Sequence, residues 1–160
     1  MDTLVKSKVY IRWMIKRDMP EVLNIEKDNF KEFCWSENDF MVTLKQRSVI
    51  GMVAEVDDKV VGYMIYNLEP EKLELFNLAV HKEYQRQGIA TQMVNKLKDK
   101  ISYGTARRKK LTADVSELNL SAQLFFSQMG FFCWEEDPNY YEDEMDFGAY
   151  LFEYYYDNNN

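Results

Sequence analysis

Residues that build disulfide frameworks and metal sites are scarce in this sequence. It contains two cysteines, Cys34 and Cys133, and one histidine, His81, among 160 residues. Two cysteines are too few for a disulfide framework, and a single histidine leaves no zinc-ligand spacing to be assembled. We therefore expect a reduced, cytoplasmic protein that contains no metal site.

Basic residues are fewer than acidic residues in this sequence. The chain has 20 lysines and arginines against 27 aspartates and glutamates, which gives a formal net charge of −7. Because affinity for a polyphosphate backbone comes mainly from Lys and Arg, free nucleic acid is not an expected partner. Much of the acidity lies in Glu135–Asp146, where it would attract a basic peptide or amine, or simply form a solvated edge.

Long apolar runs are missing as well. No segment approaches the length of a membrane span, and the polar residues Met1–Lys8 do not resemble a signal peptide, so no membrane association is expected. The composition is 46% hydrophobic and 15% aromatic, which is typical of a globular chain. Since no long Ser-, Gly- or Pro-rich linker divides it, we predict a single domain over residues 1–160, with an ordered core from about residue 9 to about residue 156.

Hydrophobic periodicity predicts an α/β fold. The patterns follow the order strand, two helices, three strands, helix, strand, helix and two strands, which is typical of an α/β sandwich on a mixed, largely antiparallel sheet. We expect about seven strands flanked by about four helices. Ser36 and Asp39 predict a capped helix start, and Gly62 predicts a close backbone approach or a bulge. A basic turn is expected over Ser102–Arg108, and Asn158–Asn160 are expected to fray.

In the middle of the chain an apolar run passes into a helical pattern. Leu73–Val80 is almost wholly apolar, as expected for a central strand covered on both faces. Ile89, Met93 and Leu97 then recur every four residues along one side of an amphipathic helix. A strand therefore leads directly into a long helix here.

The connection between this strand and this helix has the spacing Gln85-x-x-Gly88-x-Ala90. Residues with little or no side chain then stand at the first helical turn, where free N–H groups and the positive end of the helix dipole point the same way. Such a turn suits a phosphate. A plain connector that needs a glycine for its positive φ is the alternative.

The whole connection resembles the acyl-CoA pyrophosphate loop of the GNAT superfamily of N-acetyltransferases, in which Gln/Arg-x-x-Gly-x-Gly/Ala follows a strand ending in valine. The resemblance implies acetyl-CoA as cofactor and coenzyme A as product. It implies that the pyrophosphate is held by the backbone of Gln85, Arg86, Gln87, Gly88, Ile89, Ala90 and Thr91. The pantetheine would pair with the backbone of Leu78, Ala79 and Val80, where neighbouring strands splay apart.

Three further stretches resemble the ribosomal-protein-alanine N-acetyltransferases and the catalytic subunits of protein N-terminal acetyltransferases. They are Cys34–Glu37, Leu75–Val80, and Asn119-x-x-Ala122 leading to Gly130-Phe131. The likeness implies direct acetyl transfer to a primary amine, the N-terminal α-amine of a protein such as a ribosomal protein, by a monomer or weak homodimer. Two alternatives stay open: an acetyltransferase for small-molecule amines, and a non-catalytic acyl-CoA-binding module.

The resemblance offers two candidates for the base that takes a proton from the amine. Asp114, five residues before Asn119, matches the catalytic glutamate of the ribosomal-protein enzymes, with a side chain shorter by one methylene. Glu74 lies on the central strand where related lysine acetyltransferases carry theirs, on the face of Phe76 and Leu78. For Glu74 the alternative is an ordinary strand-end charge.

Phe126 falls where the family has a tyrosine that protonates the thiolate, and phenylalanine has no proton to give. Either another hydroxyl or a water serves, or no acid is needed, because a thiol of pKa about 8.5 is a tolerable leaving group. The resemblance leaves Phe126 a binding role beside the coenzyme's thioester arm and places Asn119 at the coenzyme. A simple core aromatic is the alternative for Phe126.

Aromatic residues in two places are candidates for binding the acceptor. Tyr140 and Tyr141 match a tyrosine pair that contacts the backbone of the substrate peptide in the resembling enzymes. Phe33, Trp35 and Glu37 would form the opposing wall. Tyrosine stripes also occur in ordinary packing, which is the alternative interpretation.

Overall fold

A computed structural model describes residues 7–102, 107–142 and 145–156. Within these ranges the strands are β1 Val9–Trp13, β2 Val49–Val56, β3 Lys59–Leu68, β4 Lys72–Val80, β5 Lys110–Ser116, β6 Phe132–Asp137 and β7 Ala149–Tyr155. The α-helices are α1 Met19–Phe30, α2 Glu37–Leu44, α3 Ile89–Ser102 and α4 Leu120–Gln128. Short 3₁₀ turns occur at Lys16–Asp18, Lys31–Phe33 and Lys82–Tyr84. The predicted order of elements is confirmed.

The strands form one mixed sheet in the order β1-β2-β3-β4-β5-β7-β6. β4 and β5 are parallel, whereas β1 and β2, β5 and β7, and β6 and β7 are antiparallel. A parallel pair needs a crossover connection, and α3 lies in the connection between β4 and β5. The predicted fold class, a mixed sheet of seven strands with four helices, is confirmed. Within the described ranges, no helix is both long and apolar enough to cross a membrane.

The chain divides into two compact units. Unit 1 contains the residues up to Tyr66 together with Asn77–Val94. Unit 2 contains Asn67–Phe76 and the residues from Asn95 onward. Most of the predicted basic turn, and the C-terminal asparagines expected to fray, lie outside the described residues.

Unit 1 contains β2, most of β3 and helices α1 and α2. The two-residue turn Asp57-Asp58 has φ values of 50° and 62°, and positive φ at both central residues is what a tight two-residue hairpin turn requires. Helix α2 begins with the predicted cap, in which the Ser36 N–H donates to Asp39 at 2.7 Å and the Asp39 N–H donates to the Ser36 hydroxyl at 3.1 Å. A Cβ on Gly62 would lie 3.1 Å from the Ala79 carbonyl oxygen, so the predicted close backbone approach is confirmed.

Unit 2 is arranged around β5, which pairs with β4 on one side and β7 on the other. Helix α4 follows β5 and begins at Asn119, whose side chain accepts a hydrogen bond from the Ala122 N–H at 3.1 Å. Gly130, with φ of +89°, follows the end of the helix and lets the chain turn away from it. The helix is held by Phe126, whose ring lies 5.1 Å from Phe131.

The expectation that both faces of β4 are covered is wrong. One face is buried and holds Leu73, Leu75, Asn77 and Ala79. The other face is only half-buried and holds Glu74, Phe76 and Leu78. Since Phe76 and Leu78 are as apolar as their buried neighbours, composition hides this alternation. The half-open face carries one of the two candidate bases.

Candidate active site

The connection from β4 to α3 contains two left-handed residues. Arg86 has φ of 62° and Gly88 has φ of 82°, so the chain turns sharply before the helix begins at Ile89. A Cβ built on Gly88 meets no atom within 4 Å, which means that the space beside its backbone is open. A ligand can therefore approach this backbone closely.

Unpaired donors line the start of α3. The first helical hydrogen bond runs from the Gln92 N–H to the Gly88 carbonyl at 3.0 Å. In the described part of the chain, the N–H groups of Gly88, Ile89, Ala90 and Thr91 have no acceptor. These four donors stand at the positive end of a 14-residue helix, an arrangement that binds anions.

The side chains of Gln85 and Asn29 stabilise the β4–α3 connection through hydrogen bonds. Gln85 donates to the Val80 carbonyl at 2.9 Å and to the Asn29 side chain at 3.0 Å. Asn29 in turn donates to the Val80 carbonyl at 3.2 Å and to the Ile25 carbonyl at 2.8 Å. The Val80 carbonyl oxygen is thus already occupied by two side-chain donors. Asn29 was missed by the sequence argument, because nothing local links α1 to the loop.

Glu74 lies in a carboxyl cluster within unit 2. We use this name for Glu74, Asp114 and Glu69. Burial, reinforced by a hydrogen bond with Glu69, raises the pKa of Glu74 to about 7, against the opposing charge of Lys72. Asp114 adds a smaller repulsion. A carboxyl group with this pKa can both accept and release a proton at neutral pH.

Glu69 was not predicted as a site residue. It follows β3 in sequence, five residues before Glu74, in a turn that is fixed at both ends. Its N–H donates to the Lys72 carbonyl at 3.0 Å, and its carbonyl accepts from Arg108 at 2.6 Å. Its carboxylate faces the Lys72 ammonium at 3.8 Å. The sequence spacing of Glu69 and Glu74 gave no signal, because their interaction depends on how the turn after β3 leads back into β4.

Asp114 is joined to the predicted acceptor-binding tyrosines. The Tyr140 hydroxyl donates to Asp114 at 3.0 Å, and burial together with that carboxylate raises the pKa of Tyr140. The Tyr141 ring packs edge-on against Tyr140 with centroids 4.9 Å apart. A cavity of about 240 Å³ is lined by Tyr140, Tyr141, Glu142 and Met145. Unit 2 thus brings Glu74, Asp114 and both tyrosines together.

Two residues expected at the coenzyme have structural partners in unit 2. Asn119 caps α4 through its side-chain oxygen. Phe126 is 5% exposed and lies among the rings of Phe125, Phe131 and Phe152. This packing favours the core interpretation of Phe126.

The residues predicted as the opposing wall lie in unit 1 and differ in exposure. Phe33 is 46% exposed, and Glu37 is an exposed residue in the first turn of α2. Trp35 is half-buried, with its ring edge-on to Phe40 at 5.1 Å. The Trp35 N–H donates to the buried Glu26 at 2.8 Å. Trp35 is therefore part of the packing of unit 1 rather than a fully exposed loop aromatic.

Residues 10–131 match the sequence profile of the Acetyltransferase (GNAT) family. This match covers more than half of the chain and includes the β4–α3 connection and the carboxyl cluster. The chain belongs to the acetyltransferase (GNAT) family. The resemblance found in the sequence is confirmed.

Individual relatives are more distant. An uncharacterized N-acetyltransferase of Methanocaldococcus jannaschii is 32% identical over 94 residues, covering 59% of this chain and 60% of that protein, so the match spans less than two thirds of its length. The [ribosomal protein bS18]-alanine N-acetyltransferase of Salmonella typhimurium is 27% identical over 114 residues, covering 71% of this chain and 74% of that protein.

Solved structures support the fold. The ribosomal-protein-S18-alanine N-acetyltransferase from Escherichia coli has a TM-score of 0.78 and 22% identity, covering 96% of this chain and 99% of that one. Arabidopsis thaliana NAA60 in complex with a bisubstrate analogue has a TM-score of 0.76 and 17% identity, covering 92% and 98%. At these identities the likeness establishes a shared fold.

Proposed function

We propose that this chain transfers an acetyl group from acetyl-CoA directly to a primary amine, and that the acceptor is the N-terminal α-amine of a protein such as a ribosomal protein. The observation that carries this proposal is the carboxyl cluster, in which a half-buried Glu74 with a pKa of about 7 lies near the Asp114–Tyr140 pair. An N-acetyltransferase needs such a group, since only a neutral amine is nucleophilic.

The start of α3 fits the coenzyme. Acetyl-CoA supplies the acetyl group as an activated thioester. The free N–H groups of Gly88–Thr91 would hold its pyrophosphate, and the open space beside Gly88 admits a ligand to the backbone. Arg86 is exposed on the same loop and adds a positive charge. Leu78, on the half-open face of β4, would offer backbone groups to the pantetheine.

We assign the role of base to Glu74 and a positioning role to Asp114. Glu74 is ionised in a large fraction of molecules at neutral pH, because its pKa is raised to about 7. Its carboxylate would take the proton from the acceptor ammonium. Asp114 is exposed and accepts the Tyr140 hydroxyl, so it orients the tyrosine pair that would contact the acceptor.

Phe126 supplies no proton to the departing thiolate. Its ring is buried among aromatic side chains and has no hydroxyl. Because a thiol of pKa about 8.5 leaves readily near neutral pH, solvent is a sufficient proton donor.

Three features support a protein N-terminus as acceptor. The Salmonella relative and the Escherichia coli structure both bear the name of a ribosomal-protein-alanine N-acetyltransferase. The Tyr140–Tyr141 pair lines a cavity beside the carboxyl cluster. The net charge of −7 favours basic polypeptides.

A panel of acceptors tests the proposal. Hexapeptides with different free N-termini, the same peptides with blocked N-termini and an internal lysine, and small amines are incubated with acetyl-CoA. Free thiol release and peptide mass are then measured. We expect acetylation of free N-termini alone. Acetylation of small amines but no peptide would overturn the acceptor assignment, and tight acetyl-CoA binding without turnover of any amine would favour a binding module.

A further inference from the structure

One buried acid in unit 1 has no part in the chemistry proposed above. Glu26 lies on α1 and is only 1% exposed. Burial raises the pKa of its carboxyl group, and hydrogen bonds from its neighbours oppose that shift. A buried carboxyl group destabilises a fold unless it is well hydrogen-bonded, so its partners show what it holds together.

Those partners come from three separate elements. One oxygen accepts the Trp35 N–H at 2.8 Å. The other accepts the Asn77 side-chain amide on β4 at 2.9 Å and the Tyr63 hydroxyl on β3. Glu26 therefore joins the segment after α1 to two strands of unit 1. Asn77 also directly precedes Leu78 on β4.

The segment Lys31–Ser36 depends on this anchor. It leaves α1 through Lys31, which has φ of 54° and ψ of −122°, a conformation that costs free energy for a residue with a side chain. Its first three residues are exposed, and its internal backbone bond from the Cys34 N–H to the Lys31 carbonyl is 3.2 Å long. The Trp35 ring packs against Phe40, Ser36 bonds to Asp39 at the start of α2, and the bond from the Trp35 N–H to Glu26 joins the middle of the segment to the buried side of α1.

We propose that Glu26 is a positioning residue that holds the Lys31–Ser36 segment in the conformation that receives the acceptor. The inference rests on the proposed function, because it takes Phe33 and Trp35 as acceptor contacts. Glu26 itself touches neither substrate. Its effect is on the affinity for the acceptor, since the bonds that it makes fix a wall rather than a reacting group.

Glu26→Gln is the informative variant. Glutamine keeps the shape of the side chain but replaces one acceptor oxygen with an NH₂ group, while three donors still point at the site. The Trp35 N–H, the Asn77 amide and the Tyr63 hydroxyl can no longer all be satisfied as they are now. The segment should loosen while the helix and strands keep their apolar packing.

Asp18→Asn is a matched control. Asp18 is also a buried acid, 4% exposed, at the other end of α1. It pairs with Arg12 at 2.8 Å and accepts the Ile15 N–H at 2.8 Å, so none of its bonds reaches the Lys31–Ser36 segment. This variant loses a buried carboxylate at the N-cap of the same helix and leaves the bonds of the Lys31–Ser36 segment unchanged.

The test combines hydrogen exchange with kinetics on both variants of the full chain. In Glu26→Gln we expect the Trp35 amide to exchange about tenfold faster, and the KM for a hexapeptide acceptor to rise about tenfold, with kcat and the KM for acetyl-CoA changed by less than about twofold. Asp18→Asn should change none of these, although its melting temperature falls.

Unchanged Trp35 exchange, or an unchanged peptide KM, in a folded Glu26→Gln protein would overturn the proposal. An equal rise in peptide KM in Asp18→Asn would do the same, because it would show general loosening of α1. If the wild-type chain acetylates no peptide, the proposed function fails, and exchange at Trp35 then decides separately whether Glu26 holds the segment.

Discussion

Unit 1 and unit 2 supply different kinds of functional group. The α3 start in unit 1 offers four backbone N–H groups and an open glycine, with no titrating side chain needed. The carboxyl cluster in unit 2 offers side chains from β4, β5 and the turn after β3, with a Glu74 pKa of about 7. Anion binding can be built from backbone geometry alone, whereas proton transfer requires side chains whose pKa values are shifted by their neighbours.

This difference between the two units explains which parts of the candidate site could be predicted from the sequence. The candidate pyrophosphate loop is formed by the seven consecutive residues Gln85–Thr91. Its spacing and its place between a strand and a helix are therefore visible in the sequence. The carboxyl cluster is assembled from distant positions. Asp114 and Glu74 came from family resemblance, and Glu69 was missed because its contact arises from the fold of one turn.

The fold was predictable for a related reason. Helix α2 has a local cap in Ser36 and Asp39, and α4 is bounded by Asn119 and Gly130. Burial was harder to predict. Glu26 lies four residues after the buried Val22 on α1, a spacing that places it on the buried face, but its partners come from other elements. The single-domain organisation, the oligomeric state and the cytoplasmic location stay predictions.

Gly88→Glu should have the largest effect. The new carboxylate would fill the open space beside the free N–H groups and repel the pyrophosphate. We expect the thermal stabilisation by acetyl-CoA to disappear, as measured by the shift in melting temperature. Gly88→Ala is the control, because it introduces the backbone strain at φ of 82° without the charge and should keep part of the shift. An undiminished shift in Gly88→Glu would end the assignment of this loop.

Glu74→Gln should have the next largest effect. In the wild type, kcat/KM should rise with pH through about 7, because the base is active when ionised and its pKa is raised to about that value. The variant should lose this inflection and at least about tenfold in kcat/KM at neutral pH. A pH–rate profile with the inflection intact would exclude Glu74 as the base.

Glu69→Gln should move the pH profile while keeping most of the activity. The hydrogen bond and charge of Glu69 raise the pKa of Glu74, so removing that charge should shift the inflection of kcat/KM to lower pH. Glu71→Gln is the matched control, because Glu71 is an exposed acid in the same turn. If both variants shift the inflection equally, the shift comes from the loss of any nearby negative charge, and not from the contact between Glu69 and Glu74.

Phe126→Tyr should have the smallest effect on the rate. A hydroxyl placed among the buried rings lacks a partner and should reduce stability by about 1–3 kcal/mol. Because solvent already protonates the thiolate in this account, kcat should change by less than about twofold at saturating acetyl-CoA. A large rise in kcat would show that proton delivery limits turnover in the wild type.

The central claim is that the backbone of the α3 start binds the coenzyme while the carboxyl cluster moves the proton. Isothermal titration of acetyl-CoA into the Glu74→Gln protein, with kcat/KM measured on the same preparation, tests this separation most directly. We predict a Kd within about twofold of the wild-type value together with at least about a tenfold loss of kcat/KM. A Kd that rises in proportion to the loss of kcat/KM, or a kcat/KM that does not fall, would contradict the account.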